Sequence, residues 1–183
     1  CDHIVVQQGK VAKYQEKEGG VEVTLEDQKT YFGKQFFKCY IDELPSTKDV
    51  LYVDQHFKGW WIETQEPTFQ ADTCTLMDFT IDQAGEVRFM YVLPISEKKA
   101  LVEVAIFSNN LLSQEAYDLI LQQYVEHHLN LKGYQITEKE FGVIPMTDYD
   151  FKKFNTQKVI AIGSAGGAIK PSTGYAFSQI QVQ

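Results

Sequence analysis

Between Leu51 and Phe107 four strand-length runs follow one another, the last three with almost nothing between them, and that spacing limits what the chain can fold into more than any other feature. The runs are Leu51 to Glu63, Thr75 to Asp82, Glu86 to Ile95 and Lys99 to Phe107. Asp82-Gln83-Ala84-Gly85 and Ser96-Glu97-Lys98 join the last three. Links this short leave no room for a crossover, so these runs must pair as antiparallel neighbours in one sheet. A helix follows. Ser113 stands as its N-cap, Ala116, Tyr117, Ile120, Leu121, Tyr124 and Val125 recur at helical spacing, and Lys132-Gly133 supplies the stop. Its apolar face should lie on the sheet, an α+β arrangement. With 183 residues, 44% of them hydrophobic, the chain can bury a sizeable core in one domain, or in one domain and a piece of another.

The flanking segments read differently. Residues 4–41 alternate as a β-meander, with turns at Gly19-Gly20 and Asp27-Gln28-Lys29 and a last strand candidate at Phe36 to Ile41. Leu44-Pro45-Ser46-Thr47-Lys48 breaks the pattern and marks a boundary. Beyond the helix, Tyr134 to Thr137 and Phe141 to Met146 form an extended segment, interrupted by charges and ended by Pro145, and Phe151 to Thr156 is a connector. The apolar run Val159 to Ile162 then feeds a glycine-rich turn, Gly163-Ser164-Ala165-Gly166-Gly167, with Pro171-Ser172-Thr173-Gly174 after it. A strand, a bare-backbone turn and the start of a helix let backbone N–H groups approach a phosphate or the edge of a ring system; tight packing is the alternative use of the same glycines. The expected division is residues 1–45, 46–157 and 158–183. A start at Cys1 and an end inside an apparent helix at Gln183 suggest a segment of a longer protein.

A formal net charge of -8 and a pI near 5.0 argue against a nucleic-acid groove. No apolar run reaches the length of a membrane span. The cysteines, Cys1, Cys39 and Cys74, have no metal-ligand spacing, and an odd count without a framework fits the cytoplasm. His127-His128 occupy adjacent helical positions facing different ways, a poor metal site, so no metal is expected.

Glu103 is the leading candidate for chemistry. It is the only charge in Ala100-Leu101-Val102-Glu103-Val104-Ala105-Ile106-Phe107, and both faces of that strand look buried. Burial raises a carboxyl pKa, as a general acid near neutral pH requires. A structural pairing, with Arg88 on the neighbouring run as partner, is the competing reading. In Gln55-His56-Phe57-Lys58-Gly59-Trp60-Trp61, aromatic rings crowd a glycine and could line an apolar cavity or face a cation; core packing is the ordinary use of the two tryptophans. Nucleophile elbow, phosphate-binding loop and G-x-G-x-x-G are all missing from the sequence.

Six stretches together resemble the flavin-dependent lycopene cyclases of carotenoid biosynthesis: Gln55 to Gly59, Leu76-Met77-Asp78-Phe79, Tyr91-Val92-Leu93-Pro94, Ala100 to Glu103, Glu140-Phe141-Gly142-Val143-Ile144-Pro145-Met146, and Ile162 to Tyr175. The resemblance implies a two-lobe flavoprotein akin to the aromatic hydroxylases. One lobe is a Rossmann-like FAD-binding unit, represented here by pieces; the other is a substrate lobe on an antiparallel sheet with a packed helix. It implies reduced FAD as cofactor, NAD(P)H as reductant, and lycopene or a related linear carotenoid as substrate. An acid protonates the terminal double bond, the cation closes a ring, and a proton leaves, with no net redox change. That acid maps onto Glu103. Many relatives carry a second acid beside it where this chain has Val104, which leaves the remover of the final proton open. The flavin turn maps onto Gly163, Ser164, Ala165, Gly166, Gly167, Pro171, Ser172, Thr173 and Gly174, and the aromatic substrate pocket onto Phe57, Trp60, Trp61 and Tyr91. A hydrocarbon substrate implies peripheral membrane contact. An isoprenoid reductase or hydroxylase, and a non-catalytic carotenoid-binding module, are the alternatives.

Overall fold

The computed structural model describes residues 3–41 and 50–182. Cys1, the expected boundary at residues 44–48 and Gln183 lie outside the described residues. The chain divides into two compact units, one spanning Val50–Thr147 and one combining Cys1–Asp49 with Asp148–Gln183.

In the second of these, strands β1 (Val11–Lys17), β2 (Gly20–Leu25) and β3 (Thr30–Gly33) form an antiparallel meander. Strand β4 (Phe36–Lys38) does not continue it, contrary to the sequence reading. It pairs in parallel with a later strand, Val159–Ala161. The departure follows from hydrogen bonding. Phe36 N–H donates to Lys158 O at 2.7 Å and Ile162 N–H to Lys38 O at 2.8 Å, so β4 meets its backbone needs with a partner far along the chain.

The unit Val50–Thr147 is built on a five-stranded sheet. Its strands are β5 (Tyr52–Thr64), β6 (Thr75–Asp78), β7 (Val87–Ser96), β8 (Lys99–Ser108) and β9 (Tyr134–Thr147), in the order β6-β7-β8-β5-β9, all antiparallel. The parallel strand Val159–Ala161 of the other unit is β10. Strand β6 stops at Asp78 rather than Asp82, because Met77 takes a positive φ of 52° and the Asp78 carboxylate accepts the Thr80 N–H at 2.9 Å, turning the chain. The segment read as two pieces around residues 138–140 is one continuous strand. It lies at the sheet edge, where exposed charges are tolerated and Pro145 needs no ladder partner for its missing N–H.

Helix α1 (Gln114–Gln123) starts at Ser113, whose hydroxyl accepts the Ala116 N–H at 3.3 Å. It runs into a π-helical turn, Tyr124–His128, closed by Leu129 N–H to Tyr124 O at 2.9 Å. The core lies between this helix and one sheet face. Trp60, Ile62, Met90, Val92, Ala100, Val102, Val104 and Ile106 from the strands pack against Tyr117, Leu121, Tyr124 and Val125. Asp118 pins the helix down. Its Oδ1 accepts from Lys58 Nζ at 2.7 Å and Trp60 Nε1 at 3.0 Å, and its Oδ2 from Lys139 Nζ at 3.1 Å. Burial would raise the Asp118 carboxyl, but those bonds outweigh it and hold the carboxyl below its ordinary range. No helix among the described residues is long and apolar enough to cross a membrane.

Candidate active site

Side chains alternate across a strand, so the core under α1 takes one set of residues and leaves the other set on the opposite face. Register fixes which. Across four strands Tyr91 stands opposite Glu103, Glu103 opposite Gly59, and Gly59 opposite Glu140. Two positions along β5 the next row pairs Phe89, Ala105, Phe57 and Gly142, and on the other side Leu93, Leu101 and Trp61 line up. The face opposite the helix therefore carries Glu103 among Phe57, Trp61, Tyr91, Phe89 and Leu101. Phe89 packs edge-on against Tyr91 with ring centres 5.3 Å apart. Leu101, Ala105 and Phe89 are 8%, 0% and 2% exposed, while Glu103, Phe57, Trp61 and Tyr91 are half-buried.

Two glycines shape this surface. A Cβ at Gly59 would stand 2.8 Å from Leu101 Cδ1, 2.9 Å from Glu140 Cγ and 3.1 Å from Glu140 Oε1. The Glu140 side chain thus leans into the space that Gly59 leaves, toward Glu103 on the far side. At Gly142 the absent side chain makes room for the Phe57 ring. The Glu103 carboxyl is pushed up to about 8, chiefly by burial, with the neighbouring Glu140 carboxyl adding to it. A carboxyl in that range holds its proton at neutral pH, the state a general acid needs.

Of the aromatic residues singled out in the sequence, Phe57, Trp61 and Tyr91 share the Glu103 face. Trp60 does not. It is 4% exposed, on the other face, with its indole N–H bonded to Asp118. Arg88 is no partner of Glu103 either. It points to the helix side opposite Ile106 and holds Glu86, with Nη2 2.7 Å from Oε2. His56 lies wholly buried on that side too, its Nδ1 2.6 Å from the Tyr117 hydroxyl. His127 and His128 join no metal cluster; none of three or more His, Cys, Asp or Glu exists among the described residues. His128 instead sits 3.3 Å from Asp78, which also accepts the Tyr124 hydroxyl at 2.7 Å. Asp118 went unmarked in the sequence, and Glu140 entered only as the first residue of a matching stretch, without a role. Glu140 belongs to the charges, Glu138-Lys139-Glu140, that read as an interruption of the extended segment.

In the other unit, β10 leads into the glycine-rich segment, which forms a 3-10 turn, Gly163–Gly166. Gly163, Gly167 and Gly174 have φ of 58°, 72° and 74°, a region that side chains disfavour. Gly166, Gly167 and Ala168 N–H groups turn back onto the carbonyls of Ile162, Ser164 and Gly163; among the described residues, those of Ser164 and Ala165 have no such partner. Pro171, Ser172, Thr173 and Gly174 form a second turn, in which Gly174 N–H donates to Lys170 O at 3.0 Å. Beyond the C-terminal ends of the parallel pair β4 and β10 lies a cavity of about 320 Å³, lined by Tyr14, Lys38, Tyr40, Phe151, Ala161 and Ala165 among others. Ligands of open parallel sheets gather at that end.

The fold has counterparts among proteins of known structure. The tetracycline destructase Tet(51) matches 95% of the chain and 49% of its own length, at TM-score 0.60 and 14% identity. A geranylgeranyl bacteriochlorophyll reductase-like protein of Thermoplasma acidophilum matches 97% and 44%, at 0.58 and 15%. HpxO of Klebsiella pneumoniae, solved with FAD and uric acid, matches 95% and 52%, at 0.53 and 12%. These likenesses establish the fold: α+β, with an antiparallel sheet and helix beside pieces of a Rossmann-like lobe. The chain belongs to the lycopene cyclase family, whose description, Lycopene cyclase protein, matches residues 1–183. It is 31% identical over 106 residues to the lycopene beta-cyclase of Pseudescherichia vulneris, covering 55% of the chain and 27% of that protein. It is 30% identical over 131 residues to a chloroplastic neoxanthin synthase of Solanum tuberosum, covering 64% and 25%. The chain thus spans about a quarter of the length of these relatives.

Proposed function

We propose that the chain is part of a lycopene cyclase, in which Glu103 protonates a terminal double bond of a linear carotenoid and starts ring closure. The observation that carries the reading is the placement of Glu103. It is a half-buried carboxyl, pushed up to about 8, on an apolar face shared with Phe57, Trp61 and Tyr91. A carbocation needs an acid able to make it, surroundings that exclude water, and π faces to offset its charge. Trp60 takes no part in that surface. It anchors the helix behind it.

The residues of the glycine turn fit a flavin. Three glycines at positive φ bring bare backbone forward, Ser164 and Ala165 offer N–H groups, and the neighbouring cavity is of a size for a ring system. Gly163 to Gly167 and Pro171 to Gly174 would hold FAD, kept reduced by NAD(P)H. The reduced flavin, when bound, supplies an electron-rich ring without net electron transfer. The residues of this chain bind it, place the acid and exclude water. Drawing a hydrocarbon from a bilayer calls for peripheral membrane contact on the cytoplasmic side.

The test is pigment analysis of lycopene-accumulating cells that express the full-length protein. Cyclic carotenes are expected. Hydrogenated or oxygenated products would replace this reading with an isoprenoid reductase or hydroxylase, and unchanged lycopene bound to the protein would replace it with a carotenoid-binding module.

A further inference from the structure

We propose that Glu140 is the second proton-handling group of the site: it takes the proton lost from the cyclised cation and returns it to Glu103. The inference rests on the reading of Glu103 as the acid.

Cyclisation consumes one proton and releases one, so the site must accept a proton after giving one. The position beside Glu103 on its own strand cannot do this. Val104 points to the opposite face, is 0% exposed, and packs with Met90 under α1. Any carboxyl at 104 would face the core and not Glu103. The second carboxyl comes from β9. Glu103 and Glu140 flank Gly59 in one row, and the missing Gly59 side chain lets Glu140 lean into the gap toward Glu103. The other titratable groups on this face are placed differently. Glu63 is held by Lys99 at 2.6 Å, Glu138 is exposed opposite Trp61, and Tyr91 stands opposite Glu103 on β7. Burial holds the proton on Glu103 near neutrality, and the Glu140 side chain leans toward it across the Gly59 gap.

The balance closes within the pair. The Glu103 O–H bond breaks as a C–H bond forms on the substrate alkene. The π electrons of a second alkene make the ring C–C bond and leave a tertiary cation. A C–H bond next to that cation then breaks, its electrons form the ring alkene, and the proton passes to the Glu140 carboxylate. Transfer of that proton from Glu140 to the Glu103 carboxylate returns both groups to their starting state. No electrons are exchanged with any other reagent.

The test is the pH–rate profile of the full-length holoprotein acting on lycopene in phosphatidylcholine vesicles, between pH 5 and 9. The wild type is expected to lose activity toward pH 9, as Glu103 gives up its proton. Glu140→Gln is expected to lower the rate about 100-fold or more and to move the high-pH limb to lower pH, because Glu103 loses the neighbour that helps hold its proton, and Glu140→Asp to restore both in part. A Glu140→Gln protein within about threefold of wild type, or one whose high-pH limb is unmoved, overturns the proposal, as does an Asp variant no better than the Gln variant. Glu103→Gln is run alongside. If it is inactive while Glu140→Gln is normal, only the role of Glu140 fails; if it cyclises normally, the assignment of the acid fails.

Discussion

The Glu140 carboxylate occupies the space that a side chain at Gly59 would take: its Oε1 lies 3.1 Å, and its Cγ 2.9 Å, from where a Cβ would stand. Gly59 is thus a gap in β5 that lets a carboxyl from β9 reach one from β8.

Gly59→Ala should close the gap. The neighbours in the way are the flexible ends of Leu101 and Glu140, so the sheet should survive while Glu140 is pushed off Glu103. Displacements of about 1 Å can cost about 100-fold in rate, and a loss between about 10- and 100-fold is expected here. The high-pH limb of the rate profile should move to lower pH, because Glu103 loses the neighbour that helps hold its proton. An unchanged limb would show that the pairing does not matter.

Stability should depend on pH through the same carboxyl. The folded-state pKa of Glu103 is raised above its ordinary value of 4.5 to about 8, so between those values the folded chain binds more protons than the unfolded one. Its contribution is therefore full at low pH and is lost as pH rises through that window. Glu103→Gln, which cannot ionise, should gain thermal stability relative to wild type on going from pH 5 to pH 9, by at least about 2–4 °C in the unit that contains it. Calorimetry of the full-length proteins at the two pH values reads this directly. A constant difference would contradict it.

Asp118 carries a structural load. Lys58 is only 5% exposed, and Asp118→Ala would leave its ammonium buried without its counter-charge while freeing the Trp60 indole N–H. Breaking a buried pair by removing one partner costs about 3–5 kcal/mol; since Asp118 is itself partly exposed, about 3 kcal/mol is expected in urea unfolding. Lys58→Met with Asp118→Ala should recover much of the loss, because it removes the stranded charge. The Asp118 carboxyl is held below 3.8, so this contribution is present above that pH and fades as acid protonates it.

Much of the sheet was legible because hairpins are local. Turns between residues 82–85 and 96–98 and the apolar alternation on either side define β7 and β8 without any knowledge of the rest. The Ser113 cap and the apolar spacing of α1 were equally local. Pairing between distant strands was not. That β4 joins β10, and that β9 joins β5 in a register setting Glu140 across from Gly59, depends on residues far apart in sequence. Trp60 and Trp61 show the limit most simply. The sequence marks an aromatic cluster, but neighbours on a strand face opposite ways, and only the docking of α1 decides which face becomes core. Glu140 shows the same limit: its charge reads as a break in an extended segment, and only the register of β9 on β5 sets it beside Gly59.

The central claim, that Glu103 is the acid that starts ring closure, is tested most directly by replacing it in the full-length protein and measuring carotenoids in lycopene-accumulating cells. Glu103→Gln keeps the size and hydrogen bonding of the side chain and removes only the proton it donates. Cyclic carotenes should vanish, with lycopene retained and the protein still folded. Cyclic product from Glu103→Gln at the wild-type level would contradict the account.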